Sequence, residues 1–483
     1  MIGIRTIGVG VVGALCGVCG LAGAAGAGPG ELVFGRVGAI GLGGVGAAEV
    51  VVHDAVRARF LVTNAAAGRV EVLTLDWAGD GDGRFARGEL IEVGGGLNSV
   101  AVNPDASARM VVGFVGWVVL FLGAWRGLLL YGLVRVGWSV VVPALPDMVT
   151  FTPDGTRVVV ACEGEPEGGV DPAGAVAVID VVGPFVAEPT MRVATIGDVS
   201  IEPEYVAITA DGARAVVTCQ EASALAVVDL DEVVLARVDA LPAVDYAAAG
   251  EKLEGSDRDG GRDGEVGGRV WPVLGMRQPD TVVRVDVGGA TYFLTADEGD
   301  PREGEDVRVK DLELDSSVFG DVEALRRDDA IGRLQVSRLR GDVDGDGDFD
   351  ELHAFGGRRM SVWDRDGGFV ADTGDLFERV IAERVGERDG GRDDNRGPEP
   401  EALCVGVVGG RAIAFVGMER QPVVVAVDIS EPGRPMFAGL VETLPHVGVE
   451  TLVFVGDEAG GGMVVGAFEG SGSVAAFSVR AGE

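Results

Sequence analysis

Hydrophobic residues in this chain come in short alternating runs rather than at helical spacing. One unit shows the pattern: Glu204-Tyr-Val-Ala-Ile-Thr-Ala-Asp-Gly-Ala-Arg-Ala-Val-Val-Thr-Cys-Gln-Glu221 holds two apolar runs around an Asp-Gly turn, and Ala224-Leu-Ala-Val-Val-Asp229 adds a third. Period-two alternation broken by Gly, Asp and Asn predicts strands joined by tight turns. Similar units begin near Glu49, Asn98, Asp147, Glu204, Asp280, Glu401 and Glu450. A unit of this size cannot bury both faces of its own sheet, so about seven of them must stack on one another. The expected fold is all-β, a seven-bladed β-propeller over residues 45–480, preceded by a Gly-rich lead to about residue 43.

Two stretches interrupt the repeats. Residues 239–271 carry the polar run Gly255-Ser-Asp-Arg-Asp-Gly-Gly-Arg-Asp-Gly264 and read as a surface loop. Residues 301–398 are too patterned to be loop throughout, and 316–331 and 375–385 are helix-compatible. A partly helical insertion is therefore expected between blades five and six, capping one face of the ring. Residues 110–137 are apolar enough for a membrane helix by length. Repeats flank them on both sides, however, and two buried strands turning at Gly123-Ala-Trp-Arg-Gly127 keep the ring whole.

Arg5, an apolar stretch from Ile7 through Leu21, and Ala-Gly-Ala at residues 22–24 and 25–27 predict a secretory signal over residues 1–27. The mature protein is then secreted or periplasmic, without a membrane span, and a monomer is expected. A formal charge of -36 argues against a nucleic-acid backbone or an anionic membrane surface and makes cations the natural counterpart. Cys16 and Cys19 fall in the signal, leaving Cys162, Cys219 and Cys404 as buried small hydrophobes or at most one bridge. With only three histidines, His53, His353 and His446, zinc and copper are poor fits, and hard, oxygen-ligated cations are better ones.

The acids are not scattered. Glu49, Asp147, Glu204, Asp280, Glu401 and Glu450 each head a strand pattern, Asn98 fills the seventh slot, and four of the acids follow a proline. In a propeller these heads would ring one mouth of the central channel. A second set, Glu163, Glu221, Glu298, Glu419 and Glu469, would return to the same face on the neighbouring antiparallel strand. Two readings stay open: a multi-cation site, or acids that hydrogen-bond turn backbones and fix blade closure. Separately, Asp342-Val-Asp344-Gly-Asp346-Gly347-Asp348-Phe-Asp350 has the carboxylate spacing of a calcium loop, with a solvated acidic turn as the alternative. His353 stands where an EF-hand would place its last Glu, which favours a loop between strands. Asp76, Asp80, Asp82 and Glu89 form a weaker, irregular relative.

Taken in order, several segments resemble the choice-of-anchor I family, bacterial relatives of the mesenchyme-specific cell surface glycoproteins. They are Leu145-Pro-Asp147 through Gly155, Glu163-Gly-Glu165-Pro166, Glu202-Pro-Glu204-Tyr205, Gln278-Pro-Asp280 and Thr295-Ala-Asp-Glu298. The acidic loop, Asp393-Asp-Asn-Arg-Gly-Pro-Glu399-Pro-Glu401 and Gly417-Met-Glu419-Arg420 complete the set. The resemblance implies an exported YVTN/WD40-like propeller, often a module held at the cell surface by varied C-terminal anchors. Some members carry an alkaline phosphatase label, and animal relatives are associated with calcified skeleton. This sequence departs from the family at Cys162, at Val449-Glu450-Thr451 and over residues 110–137. No anchor follows Arg480, so free secretion or periplasmic residence is expected.

Signatures of serine hydrolases, phosphate-cradling Gly-Lys-Ser/Thr loops and His-Glu-x-x-His metalloproteases are missing from the sequence. Two functions remain. One is a calcium-binding module that recognises a surface glycan or protein. The other is a metal-dependent phosphoric monoester hydrolase acting on a phosphorylated small molecule, with Glu204, Glu298, Glu401 and Arg420 as catalytic candidates. Expected Ca2+ ligands are Asp342, Asp344, Asp346, Asp348 and Asp350 in the loop. In the channel they are Glu163, Glu204, Asp280, Glu298, Glu401 and Glu450. Arg302 and Arg396 join Arg420 as cations able to meet a phosphate.

Overall fold

Turn chemistry sets the strand registers. In Thr152-Pro-Asp-Gly155 and Thr209-Ala-Asp-Gly212 the aspartate accepts the threonine hydroxyl at 2.6 Å in each, and the glycine takes a φ of +70° or +71°. A Cβ would oppose that left-handed conformation, so glycine closes the turn and the flanking runs pair antiparallel. The computed structural model describes residues 30–77, 82–104, 109–114, 117–122, 135–164, 172–181, 189–197, 201–256, 268–386 and 394–482. The signal-segment reading falls outside the described residues.

Among the described residues seven four-stranded sheets result. In chain order the strands of these blades come from the described residues within 51–92, 97–141, 146–195, 203–240, 282–296 with 360–372, 400–442, and 449–481. The first strand of each blade touches the first strand of the next, and that of blade seven returns to blade one, closing a ring. An apolar core fills each junction. Phe60 and Val62 of blade one meet Val465 and Ala476 of blade seven, and Ala207 and Val216 of blade four meet Val282 and Phe293 of blade five. The fold is therefore an all-β propeller held by burial between blades.

The Gly-rich lead is not outside the repeat. Leu32–Gly41 pairs antiparallel with Ser473–Ala481 and is the outermost strand of blade seven, so the propeller begins before residue 45. Glycines at 35, 38 and 41 dilute the alternation that would have marked the strand. Because this strand pairs with Ser473–Ala481 and packs against the outer strands of blades six and one, its removal uncovers apolar faces of blade seven while the inner strands still close the ring. A variant lacking residues 32–41 is expected to lose ~3 kcal/mol or more from the burial of Leu32 and Val37 alone. Thermal melting followed by near-ultraviolet circular dichroism checks this, and an unchanged midpoint would mean that this strand adds nothing to the stability of blade seven.

The long insertion interrupts blade five rather than the junction of blades five and six. Ala290–Ala296 pairs with Met360–Asp364, so the chain leaves after the second strand and returns for the third and fourth. The reason lies in two-sided burial. Met360 and Val362 pack into the core shared with blade six, while Trp363 packs toward blade four. The excursion between them joins residues 244–245 and 274–275 in a five-stranded sheet. Tyr246, Leu253, Ile331 and Val336 fill the core beneath it. The described part of the 239–271 stretch thus shares a sheet and a core with the long insertion and is not simply a surface loop. Short helices stand at Ser316–Phe319, Val322–Leu325 and Leu376–Val380.

Within residues 110–137, Arg109–Phe114, Trp117–Leu122 and the start of Arg135–Val141 are strands of blade two. The expected turn at residues 123–127 lies outside the described residues. Among the described residues no helix is long and apolar enough to cross a membrane. Cys162, Cys219 and Cys404 are buried free thiols.

Candidate functional site

A shared backbone device starts the inner strands. Pro146, Pro203 and Pro400 stand opposite Cys162, Cys219 and Met418, and the register then slips before Val149, Val206 and Leu403. The same slip separates Leu97 from Ser99 and Val449 from Thr451. A bulge takes its extra residue off the ladder and re-aims the side chain. Asp147, Glu204, Glu401, Asn98 and Glu450 all fall within these slips. Proline suits such a strand start because it has no N–H to pair. Leu145, Gln278 and Glu399, each before a proline, hold φ at +48°, +39° and +52°. For residues with side chains that left-handed turn costs ~1–3 kcal/mol each.

These devices bring the first set together. Glu49, Asn98, Asp147, Glu204, Asp280, Glu401 and Glu450 line one cavity of about 690 Å³ enclosed by the inner strands, and Glu469 of the second set lines it too. Glu163 gathers with Asp147 and Glu204, and Glu298 and Glu419 gather with Glu401. Within each of these two triads one carboxylate oxygen from each residue lies within 4.8 Å of the other two. Glu221 joins neither triad and lies 3.5 Å from Arg302.

Burial and mutual repulsion hold these acids well above their ordinary range. Glu49 and Asp147 are pushed up to about 7, Asp280 to about 6, Glu419 to about 7 and Glu450 to about 8, with burial the leading cause in each. Glu204 is raised further by burial and then by Asp147 and Glu163, and Glu401 by burial and then by Glu450 and Glu298. Glu401 is 9% exposed, and its Oε2 has no hydrogen-bond partner. A carboxylate in that position needs a proton or a cation.

Arginines serve one side of the channel. Arg396 lies 3.2 Å from Glu399 and 4.0 Å from Glu298, and Arg420 lies 2.7 Å from Glu419 and 3.2 Å from Glu399. Arg302, Arg396 and Arg420 are thus all ion-paired, the last two beside the Glu298–Glu401–Glu419 triad. Sequence reasoning passed over three contributors. The Gln220 amide donates to Glu298 at 2.8 Å, and Tyr205 lines the cavity, its phenol raised by burial and by Asp280 and Asp147. Fully buried Glu399 holds both arginines. The acid-Pro-acid string of Glu399 and Glu401 could have flagged Glu399. A neutral glutamine at the end of an apolar run carries no such signal.

The acidic loop folds around its own carboxylates. Asp342 accepts the Gly345 N–H at 2.7 Å, Asp344 that of Asp346 at 3.2 Å, and Asp350 that of Val343 at 2.9 Å. Asp342, Asp344 and Asp350 form one group of three, and Asp348 and Asp350 form another with Asp315, the N-cap of helix Ser316–Phe319. Asp346 accepts the Asp348 N–H and joins neither group. Asp315 was invisible beforehand because no local spacing links it to the loop. Asp76, Asp82 and Glu89 form no such group among the described residues, and Asp80 lies outside them.

A family model of the choice-of-anchor I domain matches residues 49–200 and 190–432. Gigasin-3a of Magallana gigas is 29% identical over 153 residues, covering 29% of this chain and 52% of that protein. The chain thus spans about half the length of that curated relative. Among solved structures, Kuenenia stuttgartiensis hydrazine synthase aligns at a TM-score of 0.51 and 13% identity, over 89% of this chain and 95% of that one. At that identity the likeness speaks to the fold alone. The β-propeller domain of Myceliophteria thermophila Cps50 (Swd1) aligns at a TM-score of 0.49 and 10% identity, over 93% of this chain and 100% of that one.

Proposed function

The chain belongs to the choice-of-anchor I domain family, and from that premise we propose that it is an exported calcium-binding propeller serving as a binding module at the cell surface or in the periplasm. The observation that carries the reading is the Glu401 carboxylate, 9% exposed with an unpartnered oxygen, in a triad with Glu298 and Glu419. A second triad stands at Asp147, Glu163 and Glu204. Both offer only carboxylate oxygens, the donor set of a hard divalent cation, whose remaining positions take carbonyls or water. Bound calcium would neutralise charge that the fold otherwise keeps buried. The triads would then rigidify the mouth formed by the inner-strand bulges, where a glycan or protein partner would meet it. The acidic loop and Asp315 supply further oxygen ligands on the cap.

Equilibrium dialysis of the purified protein against radiolabelled calcium tests this reading. Binding is expected to fall by one ion in Glu204→Gln and by one ion in Glu401→Gln, each variant losing one triad. Calcium binding unchanged in both variants would overturn the channel assignment.

A second reading, calcium-dependent phosphomonoester hydrolysis, draws on Arg420, about a third exposed and 2.7 Å from Glu419. A metal ion at the triad would supply Lewis acidity and an acidified water. Arg420 and Arg396 would orient the phosphate oxygens, and Glu204, Glu298 and Glu401 would hold the cations. Turnover of a chromogenic phosphate ester that disappears with chelator, returns with calcium and is lost in Glu401→Gln would put this reading ahead of pure binding.

A further inference from the structure

We propose a separate binding site for a neutral glycan, in a cleft on the face of the ring opposite the channel mouth; it goes beyond the calcium reading and does not depend on it. Glu450 heads the first strand of blade seven at the mouth, and that strand runs to Gly456, ~20 Å away at the usual rise. At this far end a cleft of about 650 Å³ opens, bounded by the end of blade seven and by Trp77 and Asp82 of blade one. That volume is within the range of small-molecule sites. Strand register shows how the cleft is shaped. Val33 stands opposite Arg480 and Gly35 opposite Ser478, while the alternate residues Phe34, Phe477 and Val479 turn to the core shared with blade six. A Cβ at Gly35 would stand 2.9 Å from the Ser478 hydroxyl, and one at Gly461 would stand 2.7 Å from the Val479 carbonyl. Glycine at both positions keeps backbone bare in the cleft.

The polar groups that line it have capacity to spare. The Trp77 indole N–H has no acceptor among the described residues and is not buried, so it opens into the cleft that the residue lines. The rest of the indole packs on the core that holds Val37, which fixes the ring. Arg480 is exposed, and its guanidinium meets no carboxylate among the described residues, although Asp and Glu number 76 in the chain against 40 Lys and Arg. Asp457 accepts the Ala459 and Gly461 N–H groups through Oδ1 at 2.8 and 2.9 Å, which leaves its Oδ2 as an acceptor. Asp82 is exposed, and Ser478 donates to the Gly35 carbonyl at 3.1 Å while keeping lone pairs of its own. A phosphate or carboxylate would face two aspartates for one arginine. An alkyl chain would leave every one of these groups unmet. Sugar hydroxyls both donate and accept, so they answer an indole N–H, a guanidinium and two carboxylates together, and the apolar edge of a pyranose suits an aromatic neighbour.

The test is a printed glycan array offered to the intact protein in chelator and again in calcium. The array carries neutral wall oligosaccharides, neutral termini of protein-linked glycans, and sulfated or uronate counterparts of both. Retention on a neutral glycan is expected, to the same extent in chelator and in calcium. Calorimetric titration with the glycan retained best should then show Arg480→Ala and Asp82→Asn each weakening it about tenfold, as loss of a charged hydrogen bond does. Trp77→Ala should weaken it as well. Where Trp77→Ala does not fold, the two variants at exposed positions still decide. Retention on wall oligosaccharides identifies a structural polysaccharide as the source, and retention on protein-linked termini a glycoprotein. No retention on any neutral glycan would overturn the proposal, as would retention on anionic glycans alone or affinity undiminished in both Arg480→Ala and Asp82→Asn. Calcium stoichiometry is read separately by dialysis, so glycan binding can fail while calcium binding stands, and the reverse.

Discussion

Stripped of divalent cations, the protein is expected to become steadily less stable as pH rises from about 4.5, the ordinary glutamate value, to about 8, the value of Glu450 in the fold. The sign follows from the direction of the shifts. Glu49, Asp147, Glu419 and Glu450 hold protons to higher pH when folded than when unfolded. Across that window the native state binds more protons, so stability is greatest on the acid side and is lost as the folded carboxyls ionise. Calcium favours the ionised forms and should flatten the profile. At a hundredfold excess over Kd each filled site adds ~2.7 kcal/mol. A chain of this size shifts by about 1 °C per kcal/mol, so two filled triads raise Tm by about 5 °C. The measurement is Tm against pH with chelator and with calcium. Parallel profiles would mean that the channel acids are met by protons alone, and a metal-free Tm that rises with pH would contradict the raised carboxyls themselves.

Replacing Arg277 with alanine is expected to cost ~3–5 kcal/mol, among the largest single losses in the molecule, because it strands buried charge. Arg277 is 4% exposed. It donates to the Ser361 hydroxyl at 2.6 Å, lies 3.3 Å from fully buried Asp297 and 2.8 Å from Asp372, and packs over the Phe369 ring at 4.6 Å. It thereby ties the strand before Gln278 to the third and fourth strands of blade five, which return only after the long excursion. Removing the guanidinium leaves fully buried Asp297 without its cation, while Asp372 keeps Arg359 at 3.1 Å. Denaturant unfolding of Arg277→Ala measures the loss. Adding Asp297→Asn should recover part of it, since the remaining buried charge is then removed. No recovery would mean that packing against Phe369 and Trp363, and not charge, sets the effect. Gln278 and Asp280 follow Arg277 directly, so the same variant is expected to loosen the Asp280 wall of the channel.

Much of this architecture was legible without coordinates, for local reasons. Alternation, Asp-Gly turns and the Pro-acid pairs are short-range signals, and they located the strand units and all seven channel positions, including Asn98. The bulge that aims each acid needs only its own strand and the next one along. The sequence by itself therefore determined the repeating blade, its buried faces and the charge at each strand head. Tertiary structure decided which distant pieces complete a blade and which acids share space. Leu32–Gly41 became the last strand of blade seven, and Met360–Asp364 returned to blade five, because each buries apolar faces that no nearby segment could cover. A longer loop adds little closure entropy, so such detours leave no local mark. The grouping of Glu298 with Glu401 and Glu419, the pairing of Glu221 with Arg302 and the arrival of Asp315 at the acidic loop follow from the same cause. Electrostatic partners are set by distance across the ring, and distance across the ring is fixed only when the blades pack.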